Sequence, residues 1–126
     1  MKDGQEYAND RLGSMVIVLD NLIFLKKVEP VLAVFIDPRD PQNLQDNRRE
    51  SEYTVSPSFA DFVVKELVPK IDSTYKTIPS QDERCILGTS LGGINSASFR
   101  AEKTTAFHLI ACQSPAFWYK PGIFRI

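Results

Sequence analysis

The chain has 126 residues, with 15 Lys+Arg against 16 Asp+Glu and a formal net charge of −1. That length fits one domain over residues 1–126, and a hydrophobic content of 43% excludes disorder as a description of the whole. The balanced charge gives no electrostatic reason to expect nucleic acid or an anionic membrane as partner. The longest apolar run, Val31 to Ile36, is too short to span a bilayer, and no apolar stretch follows Met1-Lys2-Asp3-Gly4 as a signal peptide requires. No compartment follows from these features.

The elements alternate along the chain. Met15, Val18, Leu19, Leu22 and Ile23 recur near a 3.6 period and predict a helix from Ser14 to Lys27. Val31 to Ile36 is apolar at every position and predicts a strand covered on both faces. Residues 37–58 carry Pro38, Pro41 and Pro57 and read as a long loop. Ser58 is placed to cap a second helix, which runs to about residue 76 with a kink at Pro69. Cys85-Ile86-Leu87 reads as a second strand, residues 91–102 as a third helix, and Phe107 to Cys112 as a third strand. This order predicts an α/β fold with a parallel sheet, the strands near 85–89 and 107–112 being direct neighbours. Cys85 and Cys112 read as buried free thiols. Neither has a partner at metal-ligand spacing, so no metal site is expected.

Gly88-x-Ser90-x-Gly92 lies between a predicted strand and a predicted helix. A serine at the tip of such a turn is forced into a strained backbone, with small residues two positions away, and its hydroxyl is lifted clear of the sheet. The first helical N–H groups, beginning at Leu91, have no intrahelical partner and face developing negative charge. Gly88, Gly92 and Gly93 thus form a nucleophile elbow, with Ser90 as candidate nucleophile and Leu91 as candidate oxyanion donor. The plainer alternative is a glycine-rich turn that binds phosphate or simply turns. A Walker loop is excluded, because no Lys stands in the required place.

Around this motif the chain resembles the enterochelin-esterase-like branch of the α/β-hydrolases. That group also holds S-formylglutathione hydrolases, feruloyl and acetylxylan esterases and mycolyltransferases. The resemblance rests on Asp3-Gly4-Gln5-Glu6-Tyr7, Leu19 to Ile23, Val34 to Pro38, and Arg49 and Glu52 in an R-x-x-E spacing. It continues through Glu66 to Pro69, the elbow, and Gln113 to Trp118. It implies a serine esterase working through an acyl-enzyme on Ser90 without metal or organic cofactor, on a small-molecule ester such as a siderophore or carbohydrate ester. It further implies a backbone N–H near Gly4 or Gln5 as second oxyanion donor, and a pocket edge that includes Arg49, Glu52 and Trp118. Each of these has a bland alternative: a plain turn at Gly4-Gln5, a solvated charge cluster at Arg49 and Glu52, and ordinary core or rim packing for Trp118.

Members of this group are longer, with three strands before the Asp-Gly loop and with the catalytic acid and histidine after the region matching Gln113 to Trp118. The resemblance therefore implies an internal fragment, a partial α/β-hydrolase fold lacking N-terminal and C-terminal strands. The residues before Asp3 are too few to supply the strand expected between the fourth and fifth. The sole histidine, His108, stands at the amino end of a predicted strand, on the wrong side of a parallel sheet for catalysis. Two other readings remain open at this point. One is acyl transfer by the same fold, and the other is a non-catalytic remnant serving as an interaction module.

Overall fold

The computed structural model of the chain describes residues 1–101 and 106–124. The chain packs as two compact units, Met1–Asp37 and Pro38–Ile126. Among the described residues no helix is long and apolar enough to cross a membrane.

The first unit holds two helices, α1 (Gly4–Tyr7) and α2 (Met15–Phe24). The predicted stripe is visible on α2, where Met15, Leu19, Leu22 and Ile23 are half-buried and Val18 is exposed. The helix ends earlier than the predicted Lys27, and its end has a physical cause. Lys26 turns left-handed at φ 54, its N–H donates to the Ile23 carbonyl (3.0 Å), and the Lys27 N–H donates to the Leu22 carbonyl (2.8 Å). That pair of bonds is a Schellman cap, with lysine where glycine is usual.

The predicted strand at 31–36 is corrected. Residues 31–35 form no ladder, Val31 is 55% exposed, and the segment makes only an isolated parallel bridge between Lys2 and Ile36. The apolar run has strand propensity, but a strand exists only through a partner. Within this unit that partner is the first four residues. The Met1 amine donates to the Val34 carbonyl (2.6 Å), Ile36 N–H to Met1 O (2.8 Å) and Gly4 N–H to Ile36 O (2.7 Å). The residues before Asp3 thus bond to this segment without supplying a strand.

The second unit begins with the predicted long loop, which ends earlier than expected because a helix begins at Arg49. Arg39 and Asn47 bridge antiparallel, and the Asp40 carboxylate accepts from the Gln42 and Asn43 N–H groups (2.7 and 3.2 Å). Helix α3 (Arg49–Tyr53) follows. Helix α4 (Pro57–Phe62) is capped by Ser56, not Ser58: its hydroxyl accepts from Phe59 N–H at 3.3 Å while Pro57 takes the first helical position, where a missing N–H costs nothing. A π-helical segment, Val63–Leu67, leads directly into α5 (Val68–Thr74). The deviation expected at Pro69 therefore takes the form of a widened turn just before it, with Val68 N–H donating to the carbonyl five residues back.

Strand β1 (Cys85–Thr89), helix α6 (Leu91–Ala101) and strand β2 (Leu109–Gln113) form a β-α-β unit. The two strands are parallel neighbours in register Cys85↔Leu109 through Thr89↔Gln113, as predicted, and with the flanking helices they make a partial α/β fold. The helix predicted to residue 102 is seen to Ala101, and residue 102 lies outside the described residues. Arg84 at the head of β1 bonds Asp72 of α5 (2.5 Å), which also accepts from the Thr77 hydroxyl (2.7 Å). Tyr53, Phe59, Val63, Ile94, Phe99 and Phe107 are buried, with Tyr53–Phe59 and Phe99–Phe107 packed edge to face at 5.5 and 5.7 Å. Both cysteines are free, as predicted, but neither is buried: Cys85 is exposed and Cys112 half-buried. Full burial alternates along β1, falling on Ile86 and Gly88, and Cys85 lies on the other face.

The cap at Lys26 yields a prediction. A left-handed lysine costs roughly 1 kcal/mol relative to glycine. Lys26→Gly is therefore expected to raise stability by about 0.5–1 kcal/mol, read as a higher denaturation midpoint with unchanged slope.

Candidate active site

Ser90 stands alone between β1 and α6 at φ 56, the left-handed backbone that the glycine spacing predicts. Sterics explain that spacing. A Cβ on Gly88 would lie 2.3 Å from the Gly92 carbonyl oxygen, and one on Gly93 would lie 2.9 Å from the Pro115 Cβ. Strand end and helix start press together at the first, and helix start and the loop after β2 at the second.

Hydrogen bonds hold the strained residue from both sides. Its N–H donates to the Gln113 carbonyl (3.0 Å), extending the ladder of β2 by one rung. Its carbonyl accepts from Gly93 N–H (3.1 Å), Ile94 N–H (3.1 Å) and Ala116 N–H (3.0 Å). The Leu91 N–H opens the first turn of α6 and donates no backbone hydrogen bond among the described residues, so it remains available to an anion.

The two residues proposed beside Asp3 differ in what they can offer. Asp3 turns left-handed at φ 56 and starts α1. The Gly4 N–H is already committed to the Ile36 carbonyl (2.7 Å), so the expectation of an oxyanion donor at Gly4 is corrected. Gly4 serves close approach instead, since a Cβ there would lie 2.6 Å from the backbone of Phe35 and Ile36. Gln5 is the remaining candidate in that turn.

Arg49 and Glu52 both lie on α3, with the Arg49 guanidinium 6.0 Å from the Tyr53 ring centroid. The ion pair made by Glu52 is to Arg48, at 3.6 Å. Partial burial pushes the Glu52 carboxyl above its usual value, and Arg48 offsets only part of that. Trp118 is 79% exposed in a short 3-10 turn, Phe117–Tyr119, which removes the core reading for it. His108 stays at the amino end of β2, its Nδ1 bonded to Asp82. Ser90 pairs with the far end of that strand, so the two are separated by about 16 Å at roughly 3.3 Å per residue. Among the described residues no histidine serves Ser90.

Sequence reasoning missed what holds α6. Ile94 is buried on it, and the polar Asn95, Ser96 and Ser98 are all fully buried as well. The two serines satisfy themselves locally, Ser96 Oγ on Gly92 O (2.8 Å) and Ser98 Oγ on Asn95 O (2.7 Å). Asn95 Nδ2 donates to the Glu52 carbonyl (3.2 Å) and ties α3 to α6, while its Oδ1 has no partner among the described residues. The available signal was the run of small residues after the elbow, which marks a helix approached closely on several sides. The bond from the Tyr119 hydroxyl to Glu50 Oε1 (2.6 Å) also had no local signal, because 69 residues separate the two.

Two predictions follow from this geometry. Gly88→Ala is expected to destabilise the chain by roughly 3 kcal/mol, read by chemical denaturation, because backbone faces the new methyl. Glu52→Gln is expected to stabilise at neutral pH. The unfolded state deprotonates near pH 4.5 and the folded state only above it, so the wild type loses stability across that window and Gln does not. The advantage of the variant should shrink as pH falls below about 4.5.

No curated protein and no solved structure matches the chain significantly. A family model does match: the one described as "Putative esterase" covers residues 1–122, from the turn that holds Gly4 and Gln5 past the elbow and the Trp118 segment. Its extent brings the strand–serine–helix turn, α3 and the loop after β2 under one description, and it carries the hydrolase assignment of the α/β fold. The chain belongs to this esterase family.

Proposed function

We propose that the chain carries the nucleophile half of a serine carboxylesterase, with Ser90 forming the acyl-enzyme. The observation that supports this reading is the Ser90 backbone at φ 56 between β1 and α6, with the unspent Leu91 N–H beside it. The Ser90 Oγ attacks the ester carbonyl carbon, and the hydroxyl proton passes to a base. The carbonyl oxygen becomes an oxyanion facing the Leu91 N–H at the positive end of α6. The carbon–alkoxide bond then breaks, and the alcohol leaves with the proton. Water repeats the sequence on the acyl-enzyme and releases the acid.

Among the described residues no histidine is placed to act as that base. His108 is bonded to Asp82 at the other end of β2. With no base, the Ser90 hydroxyl stays protonated and is a weak nucleophile.

Chemical rescue tests the reading. The 126-residue chain alone is expected to hydrolyse p-nitrophenyl acetate at a residual rate only. Added imidazole should raise that rate above the imidazole background in the wild type and leave Ser90→Ala at background. An imidazole response equal in both proteins overturns the assignment of Ser90. Strong turnover without imidazole that is lost in His108→Ala would show that the chain carries its own base.

A further inference from the structure

We propose that Tyr119 and Glu50 are a positioning pair that aims the Leu91 N–H, acting through a closed ring of hydrogen bonds between α6, α3 and the turn after β2. The proposal rests on the reading of Ser90 as nucleophile and adds to it two residues outside the elbow. The Ser90 carbonyl and the Leu91 N–H belong to the same planar trans peptide, so the direction of one fixes the direction of the other. Among the described residues that carbonyl accepts three backbone N–H groups. Those of Gly93 and Ile94 (both 3.1 Å) come from the helix itself, and that of Ala116 (3.0 Å) comes from outside it. The first N–H of a helix has no intrahelical partner to hold its peptide. The tilt of this peptide is therefore set by where Ala116 is held. Donation to the carbonyl also polarises the peptide and strengthens its N–H as a donor.

Ala116 is buried, and its carbonyl accepts from the Tyr119 N–H (2.9 Å), which closes a tight turn. The Tyr119 hydroxyl donates to Glu50 Oε1 on α3 (2.6 Å), a short, charge-assisted bond. The same bond pushes the ionisation of Tyr119 above its ordinary value and so keeps the phenol a donor. Helix α3 is in turn tied to α6, because Asn95 Nδ2 donates to the Glu52 carbonyl (3.2 Å). Asn95 stands about one helical turn after Leu91, so the ring closes on the helix whose first N–H it aims. The amide carries a cost, since Asn95 is fully buried and its Oδ1 has no partner among the described residues. A buried polar atom without a partner calls for a reason. An apolar side chain would avoid the cost and would leave α3 untied from α6.

Two measurements on the full chain test the ring, and the first needs no turnover. By NMR on the isotope-labelled chain, the Leu91 amide resonance reports on hydrogen bonds to the Ser90 carbonyl with which it is conjugated. Tyr119→Phe opens the ring at an exposed side chain and is expected to shift the Leu91 and Ala116 amides. Glu50→Gln keeps an acceptor for the phenol and should leave both near their wild-type positions. The second measurement is imidazole-rescued turnover of p-nitrophenyl acetate and of its thiono analogue, in which sulfur replaces the carbonyl oxygen. Sulfur accepts hydrogen bonds poorly, so the ratio of the two rates reads the oxyanion contact. Tyr119→Phe is expected to lower kcat on the oxygen ester about three- to tenfold with KM changed by less than about twofold, short of the roughly 10²–10³ that a lost oxyanion donor costs. The oxygen-to-sulfur ratio should fall with it, and Glu50→Gln should retain both values. An unmoved Leu91 amide in Tyr119→Phe would overturn the proposal. So would an equal loss on both esters, which is what a merely structural role gives. An imidazole response that survives Ser90→Ala would instead overturn the reading of Ser90, and the Leu91 amide would still decide whether the ring aims that peptide.

Discussion

A non-glycine residue in the left-handed region costs roughly 1–2 kcal/mol, and Ser90 is kept there by its surroundings. The backbone carbonyl of Ser90 is the point where they meet. It takes N–H groups from the first turn of α6 and from the loop after β2, while the Ser90 N–H continues the β2 ladder. Strand, helix and loop are therefore registered against one another through the backbone of a single residue. The glycines at 88 and 93 are consequences of that registration, because they stand where the three segments come closest. Substituting either would move the serine as well as the segment it belongs to.

The β-α-β unit and its elbow were legible in the sequence because both depend on short-range rules. Apolar runs of strand length bracket a Gly-x-Ser-x-Gly turn, and two neighbouring parallel strands need only the helix between them. The segment 31–36 shows where such rules stop. Its composition is that of a buried strand, but composition does not supply a partner, and the first unit offers it four residues of backbone. The same holds for the site. Ser90 and Leu91 are fixed by local turn geometry. The spent N–H of Gly4 depends on Ile36, and the Glu50–Tyr119 bond on a partner 69 residues away, which no window of sequence contains.

Helix α6 is held by polar groups as much as by apolar ones. Ser96 and Ser98 are buried and stay inexpensive by bonding backbone carbonyls of the helix itself, while buried Asn95 bonds the Glu52 carbonyl of α3 through Nδ2 and leaves its Oδ1 without a partner among the described residues. Small side chains let neighbouring segments come near, and a larger apolar residue at these positions would gain hydrophobic area only by pushing those segments apart. The helix that starts after Ser90 is in this way fixed in position from several sides.

The π-helical turn at Val63–Leu67 gives the long helical region a tolerance that a straight α-helix lacks. A π turn accommodates one residue more than an α turn while keeping hydrogen bonds on both sides, so the chain before and after it stays helical. Phe59 ahead of the turn and Val63 at its start are buried, whereas Ile71 beyond it is half-buried and Tyr75 at the far end of the helical region is exposed. The extra residue rotates the later part of the apolar stripe away from the direction of the earlier part. The region can thus serve two differently oriented surfaces with one uninterrupted rod. A single-residue length change in this part of the gene could be absorbed by swelling or closing that turn, leaving both ends of the rod in place.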